Sequence, residues 1–209
     1  ENAPLGNIRA GEFAGYDSEG RTLIINQETG QPTTERDLDR DGVIVGNGLP
    51  EYTFGLNNNL SYKNFDLNLM LRGVTGHSLV NVSRAYFEHP KLSGRQNFVI
   101  TEYFNPNDGE LDAYHSGIVE KADFLRLDNA TLGYNFDLPE SSKIDNLRLY
   151  VAGNNLFTIT NYSGSDPEVR YSSFGSDDQN PDILTPGIDR RESEYFPTSI
   201  YTVGVNISF

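Results

Sequence analysis

Residues 201–209 read Tyr-Thr-Val-Gly-Val-Asn-Ile-Ser-Phe. Apolar side chains hold every odd position: Tyr201, Val203, Val205, Ile207 and Phe209. Thr202, Gly204, Asn206 and Ser208 hold the even ones. In an extended chain successive side chains point to opposite faces, so this stretch predicts a β-strand with one greasy face and one small, polar face. The same alternation runs from Tyr52 to Tyr62. Tyr52, Phe54, Leu56, Leu60 and Tyr62 share a face that only Asn58 interrupts. After Lys63-Asn64, the residues Phe65, Leu67, Leu69 and Leu71 resume the pattern opposite Asp66, Asn68, Met70 and Arg72. Two alternating runs around a two-residue break predict a β-hairpin.

Two more strands follow. One is expected over about 123–136, where Ala130, Leu132, Tyr134 and Phe136 alternate with Thr131, Gly133 and Asn135. Leu125 and Leu127 are out of phase with that set, which predicts a β-bulge near Asp128. Another is expected from Leu147 to about Thr158, with Leu147, Leu149 and Val151 on one face and Arg148, Tyr150, Ala152 and Asn154 on the other. A weaker strand is expected near Gly11 to Tyr16. Long connections (about 17–50, 77–122 and 161–197) alternate strictly with short ones (63–64 and the turn around Pro139). In an antiparallel sheet this places all long loops at one end. A transmembrane barrel, with short periplasmic turns and long extracellular loops, has that asymmetry. The rival fold is a soluble β-sandwich or lipocalin-like barrel, which also alternates apolar and polar residues. Against it stand polar faces of Asn, Thr, Ser and Gly rather than Lys and Glu. Loops of this length are also uncommon in compact soluble domains.

Composition agrees with an all-β chain. The 209 residues include 12 Tyr, 12 Phe and 20 Gly, with no Trp and no Cys. The absence of Cys removes disulfides and thiolate metal sites. A net charge of −14 argues against a nucleic-acid partner, because phosphate binding needs basic patches. Mean hydropathy of −0.51 is compatible with a membrane barrel, in which only every second strand residue meets lipid. No apolar run approaches the ~20 residues of a spanning helix. The chain begins at Glu1 with no signal peptide, so the N-terminus is expected to be processed, truncated or outside this piece. A closed barrel needs about eight strands or more, so five or six predict part of a larger barrel.

Several stretches resemble the closing part of the SusC/RagA family of TonB-dependent outer-membrane proteins. They are Asp37-Leu38-Asp39-Arg40-Asp41-Gly42 with Gly46-Asn47-Gly48-Leu49-Pro50 and Tyr52-Thr53-Phe54-Gly55-Leu56, the Ser61-Tyr62-Lys63-Asn64-Phe65-Asp66-Leu67 hairpin, Asp123 to Asn129 with Leu132-Gly133-Tyr134, Asn154-Asn155-Leu156-Phe157-Thr158 with Tyr162-Ser163-Gly164 and Asp166-Pro167-Glu168, and Phe196-Pro197 with the final strand. The resemblance implies the C-terminal strands, about five to six, antiparallel and up-and-down, of one large barrel domain spanning residues 1–209. The plug and the remaining strands would lie elsewhere in the parent. It further implies import of oligosaccharides or peptides across the bacterial outer membrane, a SusD-like surface lipoprotein as lid, and energy from the TonB complex. Two other roles stay open: a surface anchor or assembly component, and a soluble carbohydrate-binding domain.

Candidate sites are few. Asp37, Asp39 and Asp41 followed by Gly42 have the opening spacing of a calcium loop, which converges oxygens on a hard cation. The twelfth position, where that motif carries a bidentate Glu, is Gly48. The plainer reading is an acidic turn whose side chains cap their own backbone. The acidic stretch from Asp166 to Glu194 suits divalent ions, a lid protein or plain solvation. Loop aromatics (Tyr86, Phe87, Tyr103, Phe104, Tyr114, Tyr171, Phe174 and Tyr195) suit sugar stacking, lid contact or an interfacial girdle. His77, His89 and His115 lack ligand spacing, and no nucleophile elbow, phosphate loop or metalloprotease motif is present. The expectation is a protein that is not an enzyme and holds no cofactor beyond the calcium candidate.

Overall fold

The computed structural model describes residues 4–88, 99–101, 115–168, 186–189 and 197–209, and of Tyr86 the backbone alone. In chain order the strands are β1 (Asn7–Gly11), β2 (Phe13–Tyr16), β3 (Thr22–Ile25), β4 (Pro32–Thr33), β5 (Gly42–Asn47), β6 (Tyr52–Tyr62), β7 (Phe65–Thr75), β8 (Ser78–Asn81), β9 (Val119–Lys121), β10 (Phe124–Asn135), β11 (Asn146–Thr160), β12 (Ile188–Asp189) and β13 (Ile200–Ser208). Two short helices, α1 (Leu38–Asp41) and α2 (Val82–Phe87), lie between them. The chain divides into two compact units, one from 52–75, 123–160 and 196–209, the other from 1–51, 76–122 and 161–195.

The first unit is a five-stranded antiparallel sheet in the order β13-β11-β10-β7-β6. Each strand lies beside its sequence neighbour, so the topology is the expected up-and-down meander. The register carries the alternation across the sheet. Leu60, Leu67, Leu132, Val151 and Val203 form one row of partners, and Tyr62, Phe65, Tyr134, Leu149 and Val205 form another. Leu60, Leu132, Val151 and Val203 are exposed, as are Phe54, Leu56, Leu149, Phe157 and Val205. An apolar face this continuous and this open is unusual for a soluble surface.

Asp128 is the extra residue that keeps the face continuous. Leu127 pairs with Leu71 and Asn129 with Met70, so Asp128 has no opposite number on β7. The bulge resets the side-chain parity, and Leu127 below it and Ala130 and Leu132 above it stay on one face. This is the predicted bulge. A second irregularity faces it on β11, where Asn155 has φ of 50°. The Lys63-Asn64 turn is also as expected, with φ of 53° at Lys63, the first turn position.

The second unit gathers the stretches expected as long loops. They are built of small pieces: β1 with β5, β2 with β3 and β4, and β9 and β12 on either side of β8. Val80, Ala85 and Ile118 form one small core, backed by Ile8, Val82, Val119 and Ile188. Leu79, Ala122 and Tyr162 form another. The weak strand expected near Gly11 to Tyr16 does not join the large sheet. Its residues split between β1 and β2, which pair with β5 and β3. Segments this short, with Gly15 at φ of 97°, suit a compact turn-rich unit better than a long wall strand.

On the polar face of the large sheet, Tyr150 lies across Gly204. A Cβ built there would come within 2.3 Å of the Tyr150 ring. Gly204→Val is expected to destabilise the sheet by about 1–3 kcal/mol. Tyr150→Ala in the same chain should restore part of that loss in equilibrium unfolding. No recovery in the double variant would remove the close approach as the cause.

Candidate functional site

The sheet face opposite the apolar one is lined with amides, hydroxyls and paired charges. Arg148 Nε donates to Asp66 Oδ1 at 2.9 Å, and its Nη2 donates to the second carboxylate oxygen. Asn135 Nδ2 donates to the same carboxylate at 3.1 Å. The guanidinium of Arg148 lies 5.2 Å from the Tyr150 ring centroid. Further along, Arg72 donates to Asp128 at 2.7 Å, so the bulge delivers a carboxylate to that face. Arg72 and Arg126 pair directly across the strands, and both stack on Phe124, at 5.6 and 5.1 Å. Arg126 Nε also donates to Thr158 Oγ1 at 2.8 Å. Asn68 donates to Asn57 at 3.0 Å and also to Asn59, and Asn129 donates to Asn154 at 2.9 Å. This face is wettable and almost charge-balanced. It is suited to contact with water and polar solutes rather than to bond-making chemistry.

The second unit has its own polar cluster. Glu120 Oε1 accepts from Asn81 Nδ2 at 3.2 Å, Arg84 Nη1 at 2.9 Å and Ser163 Oγ at 2.8 Å. Its Oε2 accepts from the Ser163 backbone N–H at 2.9 Å. Arg84 also donates to Glu88, which accepts from the Thr101 hydroxyl as well. Nearby, the Tyr162 hydroxyl donates to buried Asp189 at 2.6 Å. His77 and His115 are both buried. The ring of His77 lies 3.2 Å from the Pro167 carbonyl, and that of His115 stacks on Phe13 with centroids 4.5 Å apart.

Burial pushes the Glu120 carboxyl up, but the Ser163 N–H and hydroxyl and the Arg84 guanidinium outweigh it and hold it below the ordinary value.

Of the three aspartates proposed from spacing, Asp37 and Asp41 do separate work. Asp37 caps α1, and its Oδ1 accepts from the backbone N–H groups of Asp39 and Arg40 at 3.1 and 3.2 Å. Asp41 is fully buried. It accepts from Arg40 Nε at 2.8 Å, from Arg40 Nη2 at 2.6 Å and from the Gln27 N–H at 3.1 Å. Those bonds to Arg40 hold the Asp41 carboxyl below its ordinary value. The carboxylate oxygens of Asp37 and Asp41 that make these bonds are directed to the chain itself. Among the described residues no group of three His, Cys, Asp or Glu converges to hold a metal.

Of the acidic stretch, Asp166, Glu168 and Asp189 are described, and Asp166 and Asp189 are buried. Asp177, Asp178, Asp182, Glu192 and Glu194 lie outside the described residues. So do His89, Tyr103, Phe104, Tyr114, Tyr171, Phe174 and Tyr195. The Glu120 cluster was not read from the sequence. Glu120 stands 36 to 43 residues from Asn81, Arg84 and Ser163, with no motif spacing. Asp66, Arg72 and Arg148 did carry a signal, as charges on the polar parity of strong strands.

Because Glu120 and Asp41 titrate below their ordinary values, they stabilise the fold above those values and lose that effect as pH falls through the depressed ones. Protection of the second unit from amide exchange is therefore expected to hold from pH 7 to about 5 and to fall below about 4. Glu120→Gln should flatten part of that fall. A fall already complete at pH 6 would point to other groups.

No family model matches the chain. It is 29% identical over 229 residues to TonB-dependent receptor P3 of Formosa agariphila, covering 95% of this chain and 22% of that protein. It is 29% identical over 172 residues to TonB-dependent receptor SusC of Bacteroides thetaiotaomicron, covering 70% of this chain and 16% of that protein. Among solved structures, the RagAB peptide transporter superposes with a TM-score of 0.74 at 23% identity, over 97% of this chain and 22% of that one. The chain thus spans about a fifth of the length of the relatives it matches. These relatives are receptors and a transporter by name. Over most of its length the chain is similar in sequence to TonB-dependent receptors, SusC among them, and it shares the antiparallel fold of the corresponding part of the RagAB peptide transporter.

Proposed function

We propose that this chain is the C-terminal part of the barrel domain of a TonB-dependent importer in the bacterial outer membrane. The observation that carries the reading is the two-faced sheet. On the apolar face, Tyr52, Phe54, Phe157 and Tyr201 stand towards the strand ends that lead to long connections. Tyr62, Phe65, Tyr134 and Phe209 stand at the ends that lead to short turns or close the chain. Aliphatic side chains fill the band between. The eight residue steps from Phe54 to Tyr62 span about 26 Å at ~3.3 Å per residue, which matches an outer-membrane apolar band of about 25 Å between aromatic girdles. The polar face then lines the lumen. The two edge strands, β6 and β13, find their missing partners in the rest of the parent barrel, since lipid tolerates no open edge.

The parent protein would take up oligosaccharides or peptides, with a SusD-like surface lipoprotein as lid and the TonB complex supplying energy through segments outside this chain. The support is the company of the chain: SusC and the RagAB peptide transporter. For the acidic turn we propose backbone capping by Asp37 and pairing of Asp41 with Arg40 in preference to calcium ligation. Calorimetric titration of the parent receptor with calcium should give no heat that Asp39→Asn removes; such heat would restore the calcium reading.

Val203→Arg in the parent receptor is expected to impair barrel assembly, by about 2–4 kcal/mol at mid-bilayer, and Thr202→Arg to be milder. Equal effects would sink the assigned facing. Cells lacking the TonB complex should also lose receptor-dependent accumulation of labelled cargo. Normal assembly with no such uptake would favour the anchor role.

A further inference from the structure

The Glu120 carboxylate joins two connections that the large sheet separates in sequence. The first, between β7 and β10, supplies Asn81 at the end of β8, Arg84 in α2 and Glu120 itself in β9. The second follows β11 and supplies Ser163 through both its N–H and its hydroxyl. Ser163 follows Glu120 at a distance of 43 positions in the chain. The carboxylate therefore accepts four donors, two from each side of this junction. Asn81 is almost fully buried and reinforces the junction. It donates to the Ser163 hydroxyl at 3.2 Å, and its Oδ1 accepts from the Arg84 N–H at the start of α2 at 2.9 Å.

Packing runs alongside. Tyr162, the residue before Ser163, is buried with Leu79 and Ala122, both of the first connection. Its hydroxyl bonds Asp189 in β12, which pairs in parallel with β8.

We propose that Glu120 is a positioning residue that couples the two connections, so that order or ligand contact in either is felt in the other by the same factor. The physical reason is that the carboxylate is satisfied only when both sets of donors are in place. Loss of Ser163 leaves a half-buried charge with fewer donors and weakens its hold on Arg84, and the reverse is equally true, because coupling free energy is reciprocal. Arg84 in turn holds Glu88, which binds Thr101, so α2 and the Thr101 segment share the same anchor.

The test is amide hydrogen exchange on the full-length parent protein. Ser163→Ala removes the hydroxyl from the second connection. The readout is the Glu88 amide in the first, which donates to the Arg84 carbonyl at 2.9 Å. The reference is the Ile25 amide, which donates to Glu12 in the same unit at 2.9 Å. Exchange at Glu88 should rise roughly three- to tenfold, and exchange at Ile25 should stay unchanged. In a Glu120→Ala background, Ser163→Ala should add nothing at Glu88. An unchanged Glu88 amide overturns the proposal. So does a rise shared equally by Ile25, which is general loosening. A full effect of Ser163→Ala without Glu120 also overturns it, because the route then runs through Asn81. If Glu120→Ala does not fold, the single Ser163→Ala variant decides between the first two outcomes and the expected one.

Discussion

Parity is the constraint on which the large sheet depends. In an extended strand a shift of one residue sends every later side chain to the other face. Five strands keep one apolar face only if their registers agree residue by residue. They do, from Leu60 on β6 to Val203 on β13. Where the β10 sequence changes phase, Asp128 is left out of the ladder so that the face survives. The same residue then meets Arg72, so the adjustment that saves the apolar face also neutralises a cation on the polar one.

The two units follow different physics. The sheet leaves large apolar side chains open on one face and satisfies polar ones by pairing across strands on the other. The second unit has only small apolar cores, and its cohesion rests heavily on buried polar groups: Asp41, Asn81, Glu88, His115 and Asp189. Buried charges carry a desolvation cost that is offset only when their partners are all present. Such clusters specify one arrangement sharply and tolerate partial loss poorly. That behaviour suits long connections that must hold a defined form without a large core.

In the proposed barrel the large sheet and the connections meet different demands. The sheet would need a lipid-compatible face and a wettable lining, and the connections a defined shape. Asp66 with Arg148, and Arg72 with Asp128, give the lining charge without leaving it unpaired. The glycines beneath Arg148 and Tyr150 allow those long side chains to lie flat along it.

The alternation in 52–71, 123–136, 147–158 and 201–209 determined the strands, their faces, the hairpin turn and even the bulge, because period-two patterning is a local property. Charges on the polar parity also marked the residues that line one face. What lay beyond the sequence was which distant groups meet. Glu120, Arg84 and Ser163 carry no shared spacing, and the spacing of Asp37, Asp39 and Asp41 does not reveal that Asp37 caps a backbone and Asp41 pairs with Arg40. Hydrogen-bond partners across tens of residues are chosen by three-dimensional placement and desolvation, so only the tertiary structure decided them.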